Sequence, residues 1–349
     1  MEIKMKIFFS AEYEEEALKP LYELGEVDKQ GWALGLPKFS EEELVAKTRD
    51  ADIIITSYDD ITRKVIESAP NLRLIACTRA TPVNVDMQAA KERNIPVLYT
   101  PGRNSDCTAE MTIGLMLSVA RNIPQAYRAL KEGKYTADPS FRKETREGLK
   151  KDVIWDMTMD SPYMVFKGTQ LKGKTLGILG YGSIGRRVGK IARAIGMELL
   201  IYDPYVGEID VEEFGIRKAE SVADLMKESD FVTCHMKVTP ETTGIVSREM
   251  IALMKPTAYF INASRGAILD EEALIDALRE KRIRGAAFDV YASEPIRSNH
   301  PYITELDNVI ITPHIAGATD DVLANHTKMI VADVKRFLNG EHMLYQYRY

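Results

Sequence analysis

The chain has 349 residues, which exceeds one domain of ordinary size and is enough for two. Its hydrophobic fraction of 45% and charged fraction of 28% are typical of a globular protein, and its net charge of −6 argues against nucleic acid as a partner. No apolar run is long enough for a membrane span or a signal-peptide core, and the three cysteines are widely spaced, so we expect a cytoplasmic protein with reduced thiols, no membrane contact and no metal site.

The first hundred residues alternate short apolar segments with amphipathic ones. Strands are predicted at residues 6–9, 52–55, 72–75 and 96–99, and helices at residues 14–24, 41–49 and 87–93. Strands and helices that take turns in this way predict a parallel sheet with helices on both faces.

A helix at residues 106–120 is apolar nearly all round, which predicts burial between domains or at a subunit interface. The polar segment 136–170 is long for a connection inside a compact domain, and we interpret it as an arm or lid. A second α/β unit follows, with an amphipathic helix over 320–338 at its end. Its predicted strands are residues 175–180, 198–203, 231–235, 258–263, 285–290 and 308–312.

A glycine-rich loop follows the first strand of this second unit. Gly180, Gly182 and Gly185 have the spacing of a dinucleotide-binding turn, in which the glycines allow a tight bend, close approach of a pyrophosphate and close packing of helix on strand. Asp203 ends the next strand, where a carboxylate binds the ribose hydroxyls and would repel a 2′-phosphate. The loop therefore predicts NAD as cofactor. The alternative is a plain turn, with Asp203 starting a bend at Pro204.

Three side chains follow three later strands of the same unit. Arg265, Glu294 and His314 should share one crevice, because ligands of open parallel sheets bind beyond the carboxyl ends of the strands. An Arg can bind a carboxylate with two hydrogen bonds, a His can move a proton near neutral pH, and a Glu can hold that His in its charged form. This set suits the oxidation of a 2-hydroxy acid. Taken singly, each would be read as a surface charge, a helix cap or a satisfied histidine.

In this order the motifs resemble those of the D-isomer-specific 2-hydroxyacid dehydrogenases, a family that includes 3-phosphoglycerate dehydrogenases, glyoxylate and hydroxypyruvate reductases and D-lactate dehydrogenases. The resemblance covers about residues 53–338. It is carried by Asn104 with Ala109-Glu110, by Gly180–Gly185, by Asn262–Gly266 with Asp270–Leu274, by Asp289-Val290 with Glu294-Pro295, and by Pro313–Gly317.

The resemblance implies that Arg265 binds the substrate carboxylate and keto oxygen, that His314 is the acid/base and that Glu294 is its partner. Besides the glycines and Asp203, the implied NAD contacts are Ser183 and Ile184 at the pyrophosphate, Ala263 and Ser264 beside the nicotinamide ring, Asp289 at the carboxamide, and Gly317. His235 ends a strand where the family often has a histidine; it either lines the cofactor crevice or is a satisfied structural histidine.

The family fold is two similar α/β domains. We therefore expect a flavodoxin-like substrate domain of residues 1–105 and 316–349, with a Rossmann NAD-binding domain of residues 106–315 inserted into it. Both are expected to be doubly wound parallel sheets.

The segment after the third strand of the first domain lacks the glycines that many family members have in their substrate loop. Ala80 and Thr81 are the candidates for main-chain contacts to the substrate here, in a loop that departs from the family pattern. Arg79 and Arg103 are further candidate substrate contacts, and two extra arginines would suit a second anionic group on the substrate. The alternative for either arginine is an ordinary surface charge.

Together these features predict an NAD-dependent oxidoreductase that interconverts a D-2-hydroxy acid and its 2-keto acid. We expect a homodimer whose interface includes the helix at 106–120, with the 136–170 arm reaching the partner. One alternative is a 3-phosphoglycerate dehydrogenase proper, although the chain ends soon after the last helix, without the regulatory domain of some such enzymes. Another is an NAD-sensing scaffold like the corepressors that resemble this family, which a turnover assay would distinguish.

Overall fold

Two units, each built on its own parallel sheet, make up the chain. The computed structural model describes residues 5–136, 158–208, 211 and 214–348. Unit 1 comprises Met1–Asn104 and Ala318–Tyr349, and unit 2 comprises Ser105–Gly317. In the sequence, unit 2 is thus inserted into unit 1. Most of the predicted arm, residues 137–157, lies outside the described residues.

Unit 1 contains a five-stranded parallel sheet in the order β2-β1-β3-β4-β5. Its strands are β1 (Met5–Ser10), β2 (Gly25–Lys29), β3 (Ile53–Thr56), β4 (Leu74–Cys77) and β5 (Val97–Leu98). Its helices are α1 (Glu15–Leu24), α2 (Glu41–Thr48), α3 (Arg63–Ser68) and α4 (Met87–Glu92), joined by the C-terminal helix α13 (Asp320–Leu338).

The inner strands β3 and β4 are continuous apolar runs whose residues are all buried, as expected for parallel strands covered on both faces. The C-terminal helix α13 completes one face of this core. Its Ile330 and Val334 are buried together with Leu18 and Leu21 of α1. Unit 1 therefore has no complete core until the last helix is in place.

Unit 2 contains a seven-stranded parallel sheet in the order β12-β11-β10-β9-β6-β7-β8. Its strands are β6 (Thr175–Leu179), β7 (Glu198–Tyr202), β8 (Arg217–Lys218), β9 (Phe231–Cys234), β10 (Tyr259–Asn262), β11 (Gly285–Phe288) and β12 (Val309–Ile311). Its helices include α5 (Ser105–Ala120), α6 (Ile123–Lys131), α7 (Pro162–Val165), α8 (Ser183–Ala194), α9 (Val222–Glu228), α10 (Arg248–Ala252), α11 (Glu271–Arg279) and α12 (Pro301–Thr304).

The predicted fold class, two parallel-sheet α/β domains, is confirmed by these sheets. The apolar helix α5 packs against α8 and against strands β10 and β11, so most of its apolar residues are covered within unit 2 itself. Within the described ranges, no helix combines the length and apolar character that a membrane span requires.

Candidate active site

The glycine-rich loop lies at the carboxyl edge of the unit 2 sheet, between β6 and α8. Gly180 has a φ of +89°, a conformation that side chains other than glycine rarely adopt. A Cβ on Gly185 would lie 2.2 Å from the carbonyl oxygen of Gly180, so helix and turn are in direct contact. A Cβ on Gly182 would meet nothing within 4 Å, which leaves open space in front of the α8 N-terminus.

Ser183 and Ile184 form the first turn of α8, whose N–H groups have no acceptor within the helix. The hydroxyl of Ser183 donates to the hydroxyl of Ser105 at 3.0 Å and accepts from Nη1 of Arg187 at 2.8 Å. Arg187 also binds Asp106 through its Nε at 2.5 Å. The loop is therefore held from both sides, by α5 and by the second turn of α8.

Asp203 follows β7 and closes the other side of the loop. Its Oδ2 accepts from the main-chain N–H of Tyr181 at 2.8 Å, and its Oδ1 accepts from the N–H of Tyr205 at 2.9 Å. Its side chain is only partly buried. The carboxylate is thus fixed beside the glycine turn, with surface left for a further donor.

The turn that carries Arg265 is shaped by Asn262, the last residue of β10. The buried amide of Asn262 accepts from the N–H of Ser264 at 3.0 Å and donates to the carbonyl of Arg265 at 2.9 Å. Ala263 is buried between them, and the hydroxyl of Ser264 donates to the carbonyl of Met236 at 2.9 Å. The sequence alone did not predict this role of Asn262 in shaping the turn. Its position at the start of the Asn262–Gly266 motif could have indicated such a role.

Gly266 joins this turn to the loop after β11. A Cβ on Gly266 would lie 2.0 Å from the carbonyl oxygen of Tyr291, so the two loops touch through their backbones. The N–H of Tyr291 in turn donates to Oε1 of Glu294 at 3.1 Å. The guanidinium of Arg265 is exposed. Among the described residues it bonds only the carbonyl of Ser264, at 2.7 Å, and forms no ion pair.

His314 and Glu294 form a hydrogen-bonded pair. Nδ1 of His314 lies 2.6 Å from Oε2 of Glu294, with both side chains partly open to solvent. Burial alone would raise the pKa of Glu294, but the bonds from His314 and Tyr291 outweigh it, and the pKa lies below its usual value of 4.5. The positive charge of Arg265 contributes to the same lowering of the Glu294 pKa. The structure therefore brings the three predicted catalytic side chains together.

Asp289 has protein partners that the sequence did not predict, and its contact with a nicotinamide carboxamide stays a prediction. Its side chain is completely buried. Its carboxylate accepts from the hydroxyl of Thr312 at 2.6 Å and from the N–H groups of Ile315 at 2.9 Å and Ala316 at 2.7 Å. These bonds hold the segment that runs through His314 to Gly317, so the geometry supports a role of Asp289 in positioning that segment.

His235 follows β9 and lies against the glycine loop, since a Cβ on Gly180 would come within 2.9 Å of its main-chain carbon. Its Nε2 is 3.0 Å from the hydroxyl of Thr233, and its Nδ1 is buried without a partner among the described residues. Burial lowers the pKa of His235 to about 3, so the ring is neutral at physiological pH. Its contact with the cofactor stays a prediction.

The predicted substrate residues lie at the carboxyl edge of the unit 1 sheet. Arg79 follows β4, and its guanidinium lies 5.3 Å from the ring centroid of Tyr58. Ala80 and Thr81 are exposed, and their N–H groups donate to no described residue, so this glycine-free loop still presents main-chain donors. Arg103 follows β5, and its Nη1 is 2.8 Å from Nδ1 of His326, a residue that sequence reasoning left without a role.

Comparisons with known proteins agree with this geometry. Residues 113–316 match the family model described as D-isomer specific 2-hydroxyacid dehydrogenase, NAD binding domain. A D-3-phosphoglycerate dehydrogenase of Methanocaldococcus jannaschii is 40% identical over 338 residues, which cover 97% of this chain and 58% of that protein. A glyoxylate reductase of Thermococcus litoralis is 33% identical over 340 residues, which cover 97% of this chain and 95% of that protein.

Among solved structures, the TT0316 protein from Thermus thermophilus matches with a TM-score of 0.78 and 29% identity, covering 99% of this chain and all of that one. The chain belongs to the D-isomer-specific 2-hydroxyacid dehydrogenase family. It contains the nicotinamide-cofactor-binding domain of that family, and it spans little more than half, 58%, of its Methanocaldococcus relative.

Proposed function

We propose that the protein is an NAD-dependent dehydrogenase that interconverts a D-2-hydroxy acid and the corresponding 2-keto acid. The observation that carries this proposal is the His314–Glu294 pair at 2.6 Å, beside an arginine that has no carboxylate partner among the described residues. A proton-transfer pair next to a guanidinium without a described carboxylate partner suits the reaction of a hydroxy acid or a keto acid, because the guanidinium can bind the substrate carboxylate.

The residues at the carboxyl edge of unit 2 fit a dinucleotide. The open space at Gly182 and the α8 N-terminus suit a pyrophosphate, and the fixed carboxylate of Asp203 suits ribose hydroxyls. When bound there, NAD would supply or accept the hydride. We assign Gly180, Gly182, Ser183, Ile184, Gly185 and Asp203 to its adenosine and phosphate portion, and Ala263, Ser264 and Gly317 to the nicotinamide end.

The direction of the His314–Glu294 bond decides which nitrogen is free for chemistry. Because the pKa of Glu294 is lowered, its carboxylate is ionised near neutral pH and can only accept, so Nδ1 of His314 carries the proton between them. Nε2 is then the atom that gives a proton to the keto oxygen during reduction and takes one from the hydroxyl during oxidation. Glu294 stabilises the doubly protonated ring from which reduction starts.

Arg265 is suited to hold the substrate carboxylate. Its Nη1 is anchored on Ser264, while its other donors make no bond to a described residue. A guanidinium presents paired N–H groups that match a carboxylate, and its charge would stabilise negative charge that develops on the C2 oxygen. The Asn262 amide, which bonds both sides of this turn, fixes where that charge sits.

The relatives are named for enzymes that act on two different classes of substrate. The Methanocaldococcus relative is named a D-3-phosphoglycerate dehydrogenase and the Thermococcus relative a glyoxylate reductase. We therefore propose that the substrate is a 2-keto or 2-hydroxy acid. The second candidate function is the oxidation of 3-phosphoglycerate, because the chain is 40% identical to the Methanocaldococcus relative.

Consumption of NADH with a panel of 2-keto acids tests the proposal. Wild-type protein should reduce at least one member, and His314→Ala should lower kcat by about a hundredfold or more while NADH still binds. A protein that binds NADH but reduces none of the panel would contradict the enzyme assignment and favour the NAD-sensing scaffold.

We also propose that the protein is a homodimer, with a different surface from the one predicted. Helix α5 is mostly covered within unit 2, whereas α6 exposes an apolar stripe of Ile123, Tyr127 and Leu130 at positions i, i+4 and i+7. Tyr127 is 65% exposed, so most of its ring faces outward from unit 2. An apolar stripe of this kind suits a contact with a second copy of the chain.

A further inference from the structure

A cavity of about 440 Å³ lies in unit 2, at the edge of the sheet where the strands begin. Its wall includes Lys174, Asp230 and Arg284, which come directly before β6, β9 and β11. The glycine loop and His314 follow strands and belong to the opposite, carboxyl edge. The strand β9 has four residues, so the two edges are about 13 Å apart. This cavity, called the amino-edge cavity below, is therefore separate from the site described above.

The amino-edge cavity has the volume of a small-molecule site, since ligand pockets usually measure roughly 300 to 1,000 Å³. Its neutral side chains are those of Thr169, Gln170 and Thr257, and in the described part of the chain no aromatic or aliphatic side chain lines it. The hydroxyl of Thr169 lies 3.0 Å from that of Tyr259 and is held by this bond. A nucleobase or an acyl chain would find no apolar surface here, whereas a hydroxylated ligand would find hydrogen-bond partners.

Three cations line the amino-edge cavity, namely Lys172, Lys174 and Arg284. Lys174 is partly buried and the other two are exposed. Counting the described residues alone, none of the three is in an ion pair. The acidic residues at the starts of the neighbouring strands β7 and β12, Glu198 and Asp307, do not line the cavity. The three positive charges are therefore available to an anionic ligand.

The carboxylate in the wall, Asp230, does not neutralise these cations, because it has other partners. Its Oδ1 accepts from Nζ of Lys255 at 3.0 Å, and its Oδ2 accepts from the N–H of Thr175 at 3.0 Å. Burial alone would raise the pKa of Asp230, but these bonds and the charge of Lys174 outweigh it, and the pKa lies below its usual value of 3.8. The charge of Asp230 is thus offset by Lys255, and the cavity stays positive.

The two lysines of the wall lie on a short turn that backbone hydrogen bonds hold in place. The N–H of Gly173, between them, donates to the carbonyl of Gly196 at 2.8 Å, and the N–H of Lys174 donates to the carbonyl of Leu171 at 3.0 Å. A Cβ on Gly196 would lie 2.9 Å from Cγ of Lys172, so the stem of this lysine packs on the backbone that follows α8. Both lysines are therefore positioned before a ligand binds.

We propose that the amino-edge cavity is a second binding site, and that its ligand is a small hydroxylated phosphate ester. Lys172, Lys174 and Arg284 surround the phosphate, and the threonines and the glutamine of the wall meet the hydroxyl groups. A phosphate monoester carries nearly two negative charges near neutral pH. Its three terminal oxygens can each accept from a different cation, whereas a carboxylate has only two oxygens. The proposal does not depend on the reaction at the carboxyl edge.

Isothermal titration calorimetry with glucose 6-phosphate tests this site. The titration is done at saturating NADH, because the glycine loop also has groups that suit a phosphate. Wild type should bind the ester with a Kd of about 1 mM or lower. Glucose has the same body without the charge and should bind at least roughly tenfold more weakly. Inorganic phosphate should also bind more weakly, because it does not reach the neutral side chains of the wall.

Arg284→Gln should raise the Kd of glucose 6-phosphate by roughly tenfold or more, the usual effect of losing a charge-assisted hydrogen bond. Arg49→Gln is the matched control, the same substitution at an exposed residue of unit 1 that does not line the cavity, and should bind as wild type does. Arg284→Lys keeps the charge and should restore most of the affinity. Lys172→Gln combined with Lys174→Gln should abolish measurable binding. Thermal melting followed by circular dichroism verifies that each variant is folded.

The possible results separate the hypotheses. Absence of binding by wild type at about ten times the expected Kd, or equal affinity for glucose and its phosphate, would overturn the anion site. An Arg284→Gln variant that binds like Arg49→Gln, or displacement of the ester by NADH, would place the ester elsewhere and overturn it as well. If inorganic phosphate binds as tightly as the ester, the assigned ligand class is wrong. None of these results depends on reduction of a 2-keto acid, so a failure of the proposed function is distinguishable from a failure of this site.

Discussion

The Nδ1 atom of His314 lies 2.6 Å from Oε2 of Glu294, a residue 20 positions earlier in the chain. Neither partner is held by this bond alone. The N–H of Tyr291 fixes the second carboxylate oxygen of Glu294, and buried Asp289 holds the backbone just after His314. A pair supported from both ends does not need the substrate to assemble it, so its contribution can be measured by changing one atom.

Glu294→Gln makes that change. The amide carries no negative charge, so it cannot stabilise positive charge on the imidazole when that ring delivers a proton to the keto oxygen. We expect the high-pH limb of kcat/KM for 2-keto acid reduction to move to lower pH. Glu272→Gln, at an exposed residue of α11, is the control and should keep the wild-type profile. Identical profiles for wild type and Glu294→Gln would count against the pair.

Asp203 should make the protein prefer NADH to NADPH, because its fixed carboxylate would repel a 2′-phosphate. Replacing it by Asn keeps the shape and removes the charge. The gap between the two dissociation constants should then narrow by about 1 kcal/mol, several-fold in Kd. Fluorescence titration of both cofactors measures this, and a wild-type protein that binds NADPH equally well would refute the role of Asp203.

The exposed stripe on α6 should lie in the dimer interface. Tyr127→Glu combined with Leu130→Glu places two charges on it and should shift the protein from dimer to monomer in light scattering at micromolar concentration. Ile303→Glu introduces a charge at another exposed apolar residue of unit 2, on α12, and should leave the dimer intact. Wild type that is already monomeric under these conditions would rule the interface out.

The buried, neutral His326 should make the protein sensitive to acid. Burial lowers its pKa to about 4, whereas in the unfolded chain the pKa is about 6.5, so the unfolded state takes up the proton first. The stability that depends on neutral His326 is complete above about pH 6.5 and is lost as the pH falls toward 4. At pH 5 the loss is about 2 kcal/mol.

Denaturant unfolding at pH 8 and pH 5 measures this loss. His326→Asn cannot be protonated, so the variant should be less stable than wild type at pH 8 but should lose less stability between the two pH values. His235, whose pKa is also lowered, remains in both proteins and supplies a common background. An equal loss for wild type and variant would show that His326 does not titrate in this range.

Many of the helices and strands could be predicted from the periodicity of hydrophobic residues alone. The amphipathic pattern predicts a helix over residues 320–338, and the structure has it over Asp320–Leu338. The buried strands of both sheets could be predicted because they are continuous apolar runs bounded by turns. The edge strand β2 was not predicted, because Glu26, Asp28 and Lys29 give it the composition of a loop. The same holds for the two-residue strand β8 at the other sheet's edge.

The site shows a similar division. Arg265, Glu294 and His314 could be grouped because each follows a strand, and parallel strands end at one edge. The protein partners of Asp289 could not be predicted, since the sequence does not show that its carboxylate points inward to main-chain donors. The contact of His326 could not be predicted for another reason. Its partner Glu12 is 314 positions away, and no pattern in the neighbouring sequence indicates a role for a single histidine in a helix.

The packing of α13 against α1 constrains how the protein is made. The N–H of Glu14 donates to the hydroxyl of Thr327 across 313 positions, and the apolar residues of α1 share a buried cluster with that last helix as well as with the sheet. On the ribosome, unit 2 is a continuous stretch and can fold as soon as it emerges, whereas the first hundred residues must wait for the final thirty. The segment synthesised first is therefore the last to reach its native state, and it is the part of the nascent chain with most need of a chaperone.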